Sequence, residues 1–237
     1  MNIEELGYQN THLGDLTLRR RPEPRLNGCE VFEVKLGDEY LMSSLFTEAE
    51  RQLATLALAP LKGRLDVVIG GLGLGYTAAE ALKNQMVDRL LVIDLFQVVI
   101  DWHRAGLVPN SDALNNDLRC DLRQGDFFRL ARTGFDSVDP TRKFDAVLLD
   151  IDHSPEHFLD EENASFYIAE GLAAIKNQLK PDGVFALWPN DPASDAFTAH
   201  LAAALGGAAA HNIEFPNPYT NSTSVNSVYI AQNSAPE

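Results

Sequence analysis

The chain has 237 residues, 45% hydrophobic and 22% charged, with 34 acidic against 19 basic side chains for a net charge of −15. That length and composition suit a folded core and exclude collagen-like, low-complexity and wholly disordered classes. The negative field disfavours nucleic acid and anionic lipid as partners and suits a small cationic substrate, although acidity alone also serves solubility.

No window approaches the roughly eighteen consecutive apolar residues of a membrane span. The start, MNIEELGYQNTH, has neither a basic nor an apolar leader region, so a cytoplasmic protein without a signal peptide is expected. Cys29 and Cys120 are isolated, and neither a disulfide, a zinc site nor any other metal site is expected. Each cysteine reads as a small buried hydrophobe.

Residues 1–60 read as a small β-rich unit with a linking helix. Leu16–Arg20, Glu30–Leu36 and Glu39–Met42 have strand character, with turns at Asn27-Gly28 and Gly37-Asp38. Glu48 to Leu58 follows a helical period, with Thr47 placed as its cap and Pro60 as its stop.

Residues 61–237 alternate between strand and helix. The apolar runs Leu65–Ile69 and Arg89–Ile93 read as buried strands, and Leu118–Arg123, Phe144–Leu149 and Val184–Trp188 read as the strands that follow. Between them lie helical stretches at Tyr76–Asn84 and Gln97–His103, and a long one from about Ala164 to Leu179. A helix over Pro192–Leu205 and strands near 209–215 and 223–231 close the chain as an antiparallel pair. The expected fold is α/β: a Rossmann-like, doubly wound, seven-stranded and mostly parallel sheet with helices on both faces, preceded by the small β-rich unit.

Ligands of such sheets lie at the carboxyl ends of the strands, so the residues just after each strand carry the information. Gly71-Leu-Gly-Leu-Gly75 follows a strand and opens a helix, where glycines let backbone approach a ligand. Gly73 to Ala78 also fits the dinucleotide pattern G-x-G-x-x-A, which leaves a nicotinamide cofactor open. Asp94 ends the next strand and could accept from both ribose hydroxyls of an adenosine, or cap the helix that follows. Asp126 could accept from an adenine amine with Phe127 against the ring, or cap its own helix. Asp150-Ile-Asp152-His153-Ser154-Pro155 gathers two carboxylates and an imidazole, groups able to take a proton from an attacking amine and to hold a cation. Trp102-His103 reads as packing.

Taken together, VVIGGLGLGYTAAEAL, LLVIDLFQVVIDW, QGDFFRLA, KFDAVLLDIDHSP and LKPDGVFALW resemble the spermidine synthase branch of the class I S-adenosylmethionine-dependent methyltransferase fold. The resemblance implies that Gly71, Gly73 and Gly75 line an adenosyl donor, Asp94 holds its ribose, and Asp126 and Phe127 face its adenine. It places Asp150 beside the transferred group. The aliphatic Ile69 matches the spermidine synthases, where many methyltransferases have an acid. Two departures stand out. The family's Asp-x-x-Asp-Pro loop has His153 and Ser154 at its last two positions here, with Asp152 one place early. The family's Tyr-His-Glu segment is replaced around Glu50-Arg51-Gln52-Leu53, where Arg51 would repel a polycation.

These readings imply a transferase that uses S-adenosylmethionine or its decarboxylated form to alkylate a small amine, with Asp150, Asp152 and His153 as catalytic candidates. Methyl and aminopropyl transfer both stay open. A homodimer is implied by the resemblance. The alternatives are a donor-binding pseudoenzyme without turnover and, less favoured, a nicotinamide-dependent oxidoreductase.

Overall fold

The computed structural model describes residues 3–151 and 161–234. In its first part, β1 (Glu4–Thr11), β2 (Gly14–Glu23), β3 (Cys29–Leu36) and β4 (Glu39–Ser43) pair antiparallel in sequence order. Leu16 pairs with Leu36 and Leu18 with Val34, and all four are buried on one face, as a period of two requires. The turn glycines carry the positive φ these reversals need, +78° at Gly28 and +57° at Gly37.

Strand β1 has no counterpart in the sequence reading. Its residues are mostly exposed, so it lacks apolar alternation and exists through its pairing with β2. Cys29 is exposed at the start of β3, which corrects its expected burial; Cys120 is partly buried, and burial pushes its thiol up to about 12.

Helix α1 (Glu48–Leu58) follows, burying Leu53, Ala54, Ala57 and Leu58. The second sheet then runs β10-β11-β9-β8-β5-β6-β7. Strands β5 (Leu65–Gly70), β6 (Val87–Asp94), β7 (Cys120–Gln124), β8 (Phe144–Leu149) and β9 (Leu179–Leu187) pair in parallel. Strand β11 (Ser222–Asn233) pairs antiparallel to β9, and β10 (Gly206–Asn217) closes the sheet antiparallel to β11. The expected seven-stranded, mostly parallel sheet is therefore present.

Both faces are covered, because the core strands carry apolar runs at consecutive positions, Val67–Ile69 in β5, Leu90–Ile93 in β6 and Ala146–Leu149 in β8, rather than at alternate ones. Val67 and Ile69 pack with Leu53, Ala57 and Leu74 on one side, while Val68 packs with Phe127, Phe166 and Leu172 on the other. The crossover helices α2 (Tyr76–Lys83), α3 (Gln97–Arg104), α4 (Ser111–Asn115) and α5 (Phe127–Thr133) connect these strands.

The continuous helix expected from Ala164 is not formed. A 3₁₀ turn covers Glu161–Phe166, and α6 begins at Ala169. Gly171 lies so close to this turn that an added Cβ would stand 2.3 Å from the Phe166 carbonyl oxygen. Phe166 is buried among Phe127, Phe128 and Phe185 and anchors this turn in the aromatic core. Helix α7 (Asp195–Leu205) starts later than expected because the Ser194 side chain caps it, accepting from Phe197 N. Among the described residues, no helix is long and apolar enough to cross a membrane.

Candidate active site

The order of the strands sets the order of the site. Along the carboxyl edge of the sheet stand Asp126 after β7, Asp94 at the end of β6, Gly71 after β5, Asp150 after β8, Trp188 after β9 and Asn226 on β11. All of them line one cleft of about 940 Å³, roofed by Leu16, Val34, Leu36 and Met42 of the first sheet and flanked by Glu50 of α1. The edge alone could not make this cleft; the first sheet supplies its opposite wall.

The glycine loop is held from several directions. Gly71 and Gly73 take φ of +94° and +47° and line the cleft. Gly75, at φ +81°, is the N-cap of α2 and packs against His103 and Leu114, away from the cleft lining. Beneath the loop, His103 bonds the Gly73 carbonyl through Nε2 at 2.9 Å, and Asn110 Nδ2 donates to the Leu74 carbonyl at 2.8 Å. Burial lowers the His103 imidazole to about 4, so it is neutral at neutral pH with its Nε2–H donating. From above, Met42 Sδ accepts from Leu74 N at 2.6 Å, and a Cβ on Gly73 would stand 2.5 Å from that sulfur. His103 and Trp102 therefore do pack rather than react, and His103 does so as support for the loop.

Asp94 is built into this loop. Its carboxylate accepts from Leu72 N at 3.0 Å and from Phe96 N at 2.9 Å. Burial pushes its carboxyl up, opposed by the backbone N–H groups of Phe96, Leu72 and Gly73. Asp126 caps α5, accepting from Arg129 N at 3.0 Å, and also lines the cleft. Phe127 is 2% exposed and packs edge-on with Phe128 and against Phe135, with its ring against the Gly70 backbone, so it forms the floor of the cleft.

The centre of the cleft holds two acids from distant parts of the sequence. Thr77 Oγ1 donates to Asp150 Oδ2 at 2.6 Å and lies 3.3 Å from the Glu50 carbonyl oxygen. Burial, then the neighbouring Asp150 charge, pushes the Glu50 carboxyl well above its ordinary range. Burial also raises Asp150, against the opposing hydrogen bond from Thr77. Glu50 is buried and Asp150 half-buried, both line the cleft, and the Asp150 charge acts on Glu50, so the two together favour a cation beside them. Glu50 was not singled out from the sequence. Its only signal was an acid at a buried position of an amphipathic helix, which becomes visible once α1 is docked.

Arg51, its neighbour, does not face the cleft. It pairs with Glu80 at 3.3 Å and stacks over the Tyr76 ring at 5.0 Å, while its charge still acts on the neighbouring Glu50 carboxyl. Asp152 and His153 lie outside the described residues. No cluster of metal ligands occurs among the described residues.

The sequence profile of the spermine/spermidine synthase domain matches residues 49–211. The chain belongs to the spermine/spermidine synthase family. It is 28% identical over 149 residues to a polyamine aminopropyltransferase of Pyrobaculum calidifontis, covering 62% of this chain and 50% of the relative. A polyamine aminopropyltransferase of Pyrobaculum aerophilum is 26% identical over 149 residues, covering 62% of this chain and 49% of that protein. The chain thus spans about half the length of the curated relatives it matches.

Among solved structures, a spermidine synthase in complex with the transition-state analogue AdoDATO superposes with a TM-score of 0.75 at 17% identity, over 97% of this chain and 73% of that one. A spermidine synthase from Thermotoga maritima gives 0.72 at 17% identity, over 97% and 72%. These likenesses extend the spermidine synthase fold beyond the profile match, to the first antiparallel sheet and the closing hairpin.

Proposed function

We propose that this family member transfers an aminopropyl group from decarboxylated S-adenosylmethionine to a small amine. The observation that carries this reading is the pair of acids Asp150 and Glu50 lining a cleft that also holds adenosine-type features. The adenosyl moiety would lie over Gly71 and Gly73, with its ribose on Asp94 and its adenine between Asp126 and the Phe127 floor. That orientation brings the sulfonium and its three-carbon arm to Asp150, about two strand spacings, ~10 Å, along the sheet edge from Asp94.

The choice of donor follows from charge. Intact S-adenosylmethionine would bring a carboxylate toward Asp150 and Glu50, and like charges in a partly desolvated site repel. The decarboxylated form presents only an ammonium, which the two acids attract. Methyl transfer also finds no support in the named relatives, which are aminopropyltransferases and spermidine synthases. Family membership likewise sets aside the nicotinamide reading of the glycine loop.

In the transfer, the lone pair of the neutral acceptor amine attacks the arm's methylene carbon bonded to sulfur. A C–N bond forms, the C–S bond breaks with its electrons going to sulfur, and a neutral thioether leaves. The nitrogen then sheds one proton. Asp150, oriented by Thr77, takes that proton or passes it to Glu50; Asp152 and His153, from the same loop sequence, are further candidates for this role. The protein's main contribution is alignment, because the sulfonium already activates the carbon.

Calorimetric titration with S-adenosylmethionine and its decarboxylated form, side by side, tests the reading. Tighter binding of the decarboxylated form, followed by thioether release when amines are added, is the expected result. Preference for the intact form, or binding without turnover of any amine, overturns it; the latter outcome is that of a pseudoenzyme.

A further inference from the structure

Three strands of the second sheet share one row at its carboxyl edge: Leu149 of β8 pairs with Leu187 of β9, and Leu187 with Tyr229 of β11. Asp150 stands one residue beyond that row. Because β11 runs antiparallel to β9, it passes the row toward its own start, where Ser227 N still donates to the Pro189 carbonyl at 3.5 Å. Asn226 therefore stands three residues beyond the row. Two strand spacings across and two residues outward put the Asp150 and Asn226 backbones ~12 Å apart along the cleft.

The projecting part of the hairpin is tied to the first sheet. The Phe215 ring stands 5.6 Å from Phe46. At the turn, the Tyr219 hydroxyl donates to Glu23 at 2.7 Å and accepts from Arg21 Nη2 at 2.9 Å, while Arg21 Nε donates to Glu33 at 3.0 Å. The wall that carries Asn226 is thus held from both sides.

Asn226 is 8% exposed and lines the cleft, yet its carboxamide bonds to no described residue. Its surroundings make the contrast. Ser227 Oγ donates to the Asp191 carbonyl at 2.7 Å, and Asn217 Nδ2 donates to Ser224 Oγ at 2.9 Å. A buried amide without a partner costs free energy, and this strand carries apolar side chains at Val225 and Val228 on either side. Between Asp150 and Asn226 the cleft is lined by the Trp188 indole and by Glu50, whose helix packs against β8, β9 and β11. An acid at one end, an indole along the way and an uncommitted carbonyl oxygen at the other match a chain with a nitrogen at each end and methylenes between.

We infer that Asn226 is a specificity-determining residue for the acceptor: with the reacting amine at Asp150, Asn226 Oδ1 accepts from an N–H of the remote nitrogen of a polyamine. A neutral amide accepts that bond and leaves the proton on the remote nitrogen, whereas the reacting nitrogen gives its proton up at Asp150. This rests on the transfer reading above and adds the residue that recognises the far end of the acceptor.

The test is a set of initial-rate measurements on the full chain with decarboxylated S-adenosylmethionine and 1,4-diaminobutane, spermidine or 1-butylamine, following thioether release. Asn226→Leu keeps the size of the side chain and removes its carbonyl. It is expected to lower kcat/KM for the better of the two polyamines by about ten- to a hundredfold, the worth of a hydrogen bond to a charged group, through KM with kcat retained. The rate with 1-butylamine, which has no remote nitrogen, stays at the parent's value. Asn226→Asp, which keeps an acceptor oxygen, holds or raises the parent's kcat/KM for polyamines. The urea midpoint of Asn226→Leu equals or exceeds the parent's, because the lost amide had no partner in the protein. Unchanged polyamine kinetics in Asn226→Leu, a loss carried by kcat, an equal loss with 1-butylamine, a loss in Asn226→Asp as large as in Asn226→Leu, or a lowered urea midpoint each overturns this inference while leaving aminopropyl transfer standing. Failure of the parent chain to bind the donor, or to turn over any amine, removes the transfer reading and this inference with it.

Discussion

The Thr77 hydroxyl in the first turn of α2 donates to Asp150 Oδ2, the residue after β8, at 2.6 Å. This bond joins the glycine-loop helix to the acid loop and favours the ionised form of a carboxyl that burial pushes the other way. Asp150→Asn should keep the fold and lower turnover by about 10²–10⁴-fold, the range of a lost proton acceptor. Thr77→Val should cost about tenfold and move the acidic limb of the pH–rate profile upward, because the remaining carboxyl protonates more easily. Turnover unchanged in Asp150→Asn, with circular dichroism matching the parent chain, would remove Asp150 from the reaction.

Glu50 predicts how stability follows pH. Its carboxyl is raised in the folded chain by burial and by Asp150. A raised carboxyl contributes stability that is full below its unfolded value and lost as pH climbs through the folded one. Between about pH 5 and 9 the native chain should therefore weaken relative to Glu50→Gln, by on the order of 1–3 kcal/mol. Urea midpoints of both proteins at the two pH values decide it; parallel behaviour would show that the acids do not burden each other.

His103 carries the opposite sign. Burial lowers its imidazole to about 4, so its contribution is full above the unfolded value and fades as pH falls toward 4. Acid unfolding of His103→Gln, whose amide can still donate to Gly73, should be flatter between about pH 6.5 and 4, by roughly 2–3 kcal/mol. Urea midpoints of both chains, taken from about pH 4 to about pH 7, read this difference.

Gly71 and Gly63 form a matched pair. Both have positive φ, +94° and +84°, but a Cβ on Gly71 would stand 2.0 Å from the Asp150 carbonyl oxygen, while Gly63 has nothing within 4 Å. Gly63→Ala should cost about 1–2 kcal/mol from backbone conformation alone. Gly71→Ala should exceed that by about 2 kcal/mol or more, because backbone must move, and should weaken donor binding as well. Chemical denaturation of the two variants gives the comparison directly.

Asp94 is expected to act on the donor through a preorganised carboxylate. Asp94→Asn leaves one acceptor oxygen to serve the backbone groups of Leu72 and Phe96, and turns an amide donor toward them or the ligand. Calorimetry should show donor affinity lower by about 10–100-fold, the worth of one or two bonds to a charged group.

Much of this could be read in advance because it depends on neighbours in sequence. Apolar runs such as Leu65–Ile69 and Phe144–Leu149, each ending at a glycine or an acid, announce buried parallel strands and the positions just past them. The glycine loop, Asp94, Asp126 and Asp150 were legible for that reason, and all four regions line the cleft. Strand β1 was not, since an exposed edge strand leaves no periodic trace. The break before α6 was missed because a local helical pattern is overruled by the burial of Phe166 in a distant aromatic core.

Periodicity and strand-end chemistry thus suffice for the layered α/β fold and for the donor half of the site, because those features repeat or adjoin along the chain. The acceptor half has no such local mark. Glu50 comes from α1, Trp188 from the end of β9, Phe215 and Tyr219 from the closing hairpin, and Arg21 with Glu33 from the first sheet. Which of these face the cleft, and which of their charges are already spent on one another, is set by how the two sheets pack, since charge pairing and desolvation depend on distances in space that sequence separation does not encode.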